Sequence, residues 1–245
     1  MATSVIFIPG MFNPFINTFL GTYFIDQMEY LKAREIPFEI MPVHTEGSIE
    51  KNAKIIRERI LNQKNLVAFC HSKGGVDLLH ALILYPELRS NFKKIIFAQC
   101  PFFGTPLADM AMKSETITSA FFKIVLNGEV VSINELSRNI RTSYMQSHAE
   151  EIQKIISEIA IECIGSSKKP EAGRFDSILK IPRDFIQLTY KLPNDGMIPT
   201  ESALIPGAKH TVFEDLDHAS AVIRLTPQVF DRMAFSHSVF EEALA

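Results

Sequence analysis

Short apolar runs alternate with longer amphipathic stretches along most of the chain. Residues 5–8 (Val-Ile-Phe-Ile) form an unbroken apolar run that stops at Pro9-Gly10, the pattern of a strand buried on both faces. Further strands are predicted over 38–43, 66–69, 94–98, 185–190 and 211–213, each rich in β-branched or aromatic residues. Between them, 14–34 sets Phe15, Phe19, Tyr23, Ile25, Met28 and Leu31 on one broad helical face. Residues 48–61 read as a helix with Ser48 as N-cap, and 76–85 as a helix that stops before Pro86. A last helix is expected to begin near Thr226-Pro227, with threonine capping and proline in the first helical position. Strands separated by helices need crossover connections, which predicts an α/β fold: a mostly parallel sheet flanked by helices.

One stretch departs from this rhythm. Residues 109–180 show helical spacing (Phe121, Phe122 and Val125, then Ile152, Ile155, Ile156 and Ile159) and no strand pattern. The part from 165 to 173, which includes Ser-Ser-Lys-Lys-Pro, predicts a loop. The reading is one domain over 1–245, with a helical insertion at about 109–180 set between two sheet strands.

Composition narrows the function. A chain of 245 residues, 47% hydrophobic, can enclose a sizeable core. Its net charge of -3 arises from 25 basic and 28 acidic residues without a basic stripe, which argues against a nucleic-acid partner. No apolar run approaches the ~18 residues of a membrane-spanning helix, so no integral membrane segment is expected. The N-terminus has no basic segment followed by an apolar one before Pro9, which predicts no secretory signal and a cytoplasmic location. Cys70, Cys100 and Cys163 make no CxxC pair and read as free buried thiols of a reducing compartment. No metal-ligand spacing, P-loop or GxGxxG is present, so neither metal nor cofactor is expected.

The sharpest chemical signal is Cys70-His71-Ser72-Lys73-Gly74, placed between the apolar run 66–69 and an amphipathic helix. A strand-to-helix turn this tight tolerates only small flanking residues, and it lifts the serine hydroxyl above the sheet beside a helix N-terminus. Cys70 stands where such turns usually carry a first glycine. Ser72 is thus the candidate nucleophile. The Lys73 N–H is a candidate oxyanion donor, and the loop after residue 8 offers a second from Met11, with Phe12 as the alternate.

A serine nucleophile on this fold needs an acid and then a histidine further along the chain. Asp195 lies in the Pro/Asn/Gly-rich loop 192–199 after a predicted strand. His218 follows the strand predicted over 211–213 and is the one histidine beyond Asp195 placed in a loop past a strand end. His210 is expected before that strand and His237 in the last helix, while His71 is expected to pack or hydrogen-bond locally. Asp217 and Glu214 rank below Asp195 as the acid.

Taken together, 5–11, 70–77, 98–109, 194–199 and 217–220 resemble the lipase and esterase branch of the α/β-hydrolase superfamily. Cys70-His-Ser-Lys-Gly-Gly-Val-Asp77 is similar to the GHSKGG(V/L)D segment of bacterial lipase-like proteins, and Asn194-Asp-Gly-Met-Ile-Pro199 to their acid loop. The resemblance implies a Ser72–His218–Asp195 triad acting on an acyl ester, a small molecule or a lipid, with the insertion serving as a lid. Cys70 and Pro9 depart from the family pattern, where glycine and often histidine stand. Acyl transfer to an alcohol on the same scaffold, and a non-catalytic binding protein that keeps the fold, are the alternatives.

Overall fold

The computed structural model describes residues 3–11, 23–113, 130–169, 179–224 and 230–244. In chain order these form β1 (Ser4–Ile8), α1 (Ile25–Lys32), β2 (Phe38–Ile40), α2 (Ile49–Ile60), β3 (Leu66–His71), α3 (Lys73–Leu84) and β4 (Phe92–Ala98). Then come α4 (Pro106–Lys113), α5 (Val130–Asn134), α6 (Arg138–Ser147), α7 (Ala149–Glu158), β5 (Ala160–Ser167), α8 (Lys180–Tyr190), β6 (Lys209–Glu214) and α9 (Arg232–Leu244). The strands make one sheet in the order β2-β1-β3-β4-β5-β6, with every pairing parallel.

The two faces of the sheet carry separate cores, and the period-2 alternation of the strands sorts residues between them. Ile6, Ile8, Ala68, Cys70, Ile95 and Phe97 face α2, α3 and α7 through Ile56, Leu79 and Ile155. Val5, Phe7, Val67, Phe69, Ile96 and Ala98 face α1 and α9 through Tyr30, Leu31, Phe235 and Phe240. Phe7 stacks on Phe24 at 4.9 Å between centroids and meets Phe69 and Phe240 edge-on. Burial of each such ring contributes on the order of 1.5–3 kcal/mol. The edge strand β2 is only three residues long, and the other edge strand, β6, exposes Lys209, His210 and Glu214, which blunts pairing with other chains.

Strand order reverses at β1. From β1 the chain passes to α1 on one face and pairs β2 on one side; it then returns by α2 on the other face to place β3 on β1's opposite side. Connections therefore part above the carboxyl ends of β1 and β3, the place at which open α/β sheets form a crevice.

Several expectations change. The stretch 109–180 contains a full strand, β5, paired with β4 and β6, so the sheet passes through the region read as strand-free, and 165–167 belong to β5 instead of a loop. Its sequence carries Glu162 and Ser166 at buried positions, which breaks the apolar pattern. Neighbouring strands resolve the conflict: Glu162 meets Lys94 and Thr211, and Ser166 meets Gln99. The strand predicted over 185–190 is the end of helix α8, whose buried residues Arg183 and Ile186 are three apart, the spacing of one helical face. Strand β2 ends at Ile40, ahead of Pro42. Ser48 caps α2 as expected, accepting from the Lys51 N–H at 3.4 Å. Residues 14–22, 121–125 and 226–227, which carried parts of the predicted helices, lie outside the described residues.

Candidate active site

Ser72 follows β3 directly and adopts φ 54°, ψ −130°, a conformation that L-residues rarely hold. The turn is fixed from both sides: the Ser72 N–H donates to Ala98 O at 3.0 Å, and the Gly75 N–H donates to Ser72 O at 3.1 Å. Close approach of β1 makes glycine necessary on either side. A Cβ on Gly10 would come within 2.6 Å of Ser72 Cβ, and one on Gly74 would collide with the carbonyl oxygens of Ile8 and Pro9. Cys70 is tolerated because it still lies in β3, with its side chain in the core.

The crevice gathers the three residues predicted from far apart in the sequence. His218 Nε2 lies 3.0 Å from Ser72 Oγ, and His218 Nδ1 lies 2.8 Å from Asp195 Oδ2. A carboxylate can only accept, so Nδ1 carries the proton and Nε2 is left to accept from the serine hydroxyl. Asp195 is buried, and its other oxygen accepts the N–H groups of Met197 at 2.9 Å and Ile198 at 2.7 Å. Three hydrogen bonds in a buried site hold that carboxylate in one orientation.

The competing acids are placed elsewhere. Asp217 Oδ1 caps the turn after it, accepting from Ala219 and Ser220 N–H, and Glu214 pairs with Lys169 at the surface. His210 lies inside β6 instead of before it, bonded to Ile205 O, and His237 lies in α9.

Of the two expected oxyanion donors, Met11 lies in the turn after β1, and Lys73 opens α3 as its first residue, where its N–H has no acceptor within the helix. Phe12, the alternate, is outside the described residues. The Lys73 side chain points into the interior, where its ammonium holds Asp77 at 2.9 and 3.0 Å with both groups buried. Asn52 donates to Asp77 at 2.8 Å and ties α2 to this pair. Burial pushes the Asp77 carboxyl up to about 6, although Lys73 and Asn52 each favour its anion.

No motif in the sequence marks Tyr23 or Gln99 as part of the site, and His71 is expected only to pack or bond locally. All three are buried: His71 and Gln99 bond to the main chain of the loop that carries His218, Tyr23 bonds to His71, and the two histidine rings lie 4.6 Å apart. A polar residue ending an apolar strand, as Gln99 does after β4, was the one available signal. Cys70, Cys100 and Cys163 are free thiols in the core. A cavity of about 530 Å³ lies apart from Ser72, lined by Phe103, Arg138, Asn139, Leu192 and Ser202 among others. Among the described residues no cluster of His, Cys, Asp or Glu is arranged to hold a metal ion, and no helix is long and apolar enough to cross a membrane.

Sheet order, crossovers and the serine turn define an α/β-hydrolase fold. Over its full length the chain is similar to the mature lipase BlEst2 of Bacillus licheniformis, with a TM-score of 0.75, 17% identity and 92% of that chain covered. A metagenomic carboxyl esterase aligns over 99% of this chain and 74% of its own at TM-score 0.73 and 19% identity. The Staphylococcus hyicus lipase aligns over 99% and 95% at TM-score 0.62 and 11% identity. At such identities the likeness is one of fold. No family model and no curated protein matches the sequence.

Proposed function

We propose that the protein is a serine carboxylic-ester hydrolase in which Ser72, His218 and Asp195 form the catalytic triad. The observation that carries this reading is the continuous hydrogen-bonded line from Ser72 Oγ through His218 to Asp195, at the crevice where the sheet order reverses. Similarity of fold to bacterial lipases and an esterase supports ester substrates.

In this mechanism Ser72 Oγ attacks the ester carbonyl while His218 Nε2 takes its proton. Asp195 holds the Nδ1–H and stabilises the imidazolium. The N–H groups of Met11 and Lys73 receive the oxyanion, each worth ~10²–10³ in rate. The protonated His218 then delivers its proton to the leaving alkoxide, and the acyl group stays on Ser72. Water, activated by the same imidazole, releases the acid and restores the serine.

The helices between β4 and β5 are the remaining part of the predicted cap. They adjoin the carboxyl end of β4, with Arg141 Nε donating to Phe102 O at 3.2 Å and Thr105 N–H to Leu136 O at 3.0 Å. In this reading they wall one side of the acyl pocket.

A fluorophosphonate probe should label the wild type and leave Ser72→Ala unlabelled, and the wild type should turn over p-nitrophenyl esters. Equal labelling of Ser72→Ala, or no hydrolysis across short and long acyl chains, overturns the proposal.

A further inference from the structure

A chain of buried hydrogen bonds, which the acyl-transfer steps themselves do not use, joins the loop after β1 to the loop that carries His218. The Gly10 N–H donates to Tyr23 Oη at 3.3 Å, and Tyr23 Oη is bonded to His71 Nδ1. His71 Nε2 faces two oxygens, the main-chain carbonyl of His218 at 3.0 Å and Gln99 Oε1 at 3.1 Å. The Gln99 orientation is set by its amide nitrogen, which donates to the Asp217 carbonyl at 3.1 Å and to Ser166 Oγ. With acceptors on that side, His71 Nε2 carries the ring proton; Nδ1 therefore accepts, and the Tyr23 hydroxyl donates to it.

Tyr23, His71 and Gln99 are each 2% exposed or less, so these bonds form away from competing water. Burial, with His218 nearby, holds the His71 imidazole well below the usual histidine range, which keeps the ring neutral and in this one tautomer at neutral pH. One end of the bond chain is the main chain at residue 10, next to the Met11 donor. The other is the main chain at 217 and 218.

We propose that His71, acting with Tyr23, is a positioning residue that fixes the spacing between the oxyanion loop and the catalytic imidazole without touching substrate. This rests on the reading of Ser72, His218 and Asp195 as an acyl-transfer triad. A donor or base displaced by a fraction of an ångström loses transition-state stabilisation while ground-state binding changes little.

The test is the kcat for p-nitrophenyl butyrate per active site, with sites counted by fluorophosphonate titration, in wild type, Tyr23→Phe, His71→Gln and the double variant. Each single change should lower kcat per labelled site roughly 10- to 100-fold with KM little altered. The double variant should lose no more than the worse single one, because each cut opens the same bridge. A purely structural role would instead reduce the number of labelled sites and leave kcat per site intact. Unchanged kcat per site in Tyr23→Phe, or losses that multiply in the double variant, overturns the inference. If His71→Gln does not fold, Tyr23→Phe decides alone, since it removes a single hydroxyl. Failure of the triad reading shows separately, as a wild type that is not labelled or a Ser72→Ala variant that remains active.

Discussion

Asp195 holds His218 at both ends: its carbonyl accepts the His218 main-chain N–H at 2.9 Å, and its carboxylate accepts the ring Nδ1–H at 2.8 Å. The backbone contact places the residue, and the carboxylate selects the tautomer. The two roles are separable by mutation, because only the second depends on the side chain.

Asp195→Asn keeps the main-chain contact and the side-chain volume but removes the charge that favours the imidazolium. It should lower kcat by about 10³–10⁴ with little change in KM or thermal stability. Steady-state kinetics on a p-nitrophenyl ester, with a melting curve on the same sample, checks this. Retention of most of the activity would remove Asp195 from the mechanism.

Ser72 is held at φ 54°, ψ −130°, a cost that glycine does not bear. Ser72→Gly and Ser72→Ala should both be inactive. The glycine variant should be the more stable of the two by about 1 kcal/mol, after allowing for glycine's greater freedom in the unfolded chain. Urea denaturation of the pair measures the difference. An alanine variant as stable as the glycine one would mean that the turn stores no strain.

The pair of Lys73 and Asp77 is an ion pair buried beneath the nucleophile. Asp77→Asn would leave the Lys73 ammonium without its counter-charge and should cost about 3–5 kcal/mol in urea denaturation. Lys73→Met combined with Asp77→Leu should recover most of that loss, since replacing both charges removes the desolvation cost as well. The Lys73 main-chain N–H survives these changes, so activity should follow the folded fraction.

His71 and Asp77 bend the pH dependence of stability in opposite senses. The folded His71 resists protonation, whereas in the unfolded chain it titrates near its usual value of about 6.5. As pH falls below that value, the unfolded state takes up a proton that the folded state refuses, and stability is lost. Asp77, raised to about 6, gives a folded state that binds more protons than the unfolded chain between about 4 and 6, which adds stability as pH falls through that window. His71→Gln removes the first effect and keeps the second. Its stability should therefore decline less than that of the wild type between pH 7.5 and 5, as measured by urea titration at each pH. An equal decline would show that His71 is not the group responsible.

The sequence by itself determined the elements whose signal is local. Val5 to Ile8 and Leu66 to Phe69 read as buried strands because every residue in them favours burial, and Ser48 announced a helix start by its own capping chemistry. The small residues around Ser72 reported a tight turn, and the order serine, aspartate, histidine limited which side chains were candidates to meet. Tertiary structure decided the rest. Glu162 and Ser166 lie in a buried strand only because Lys94, Thr211 and Gln99 arrive from elsewhere to satisfy them. Residues 185–190 have the aromatic and branched makeup of a strand yet form the end of a helix, which buries Ile186 on the same face as Arg183 one turn earlier. Likewise, nothing near Tyr23 or His71 in sequence shows that they link residue 10 to residue 218. A local pattern records what a residue requires of its surroundings, and only the folded chain specifies which distant group supplies it.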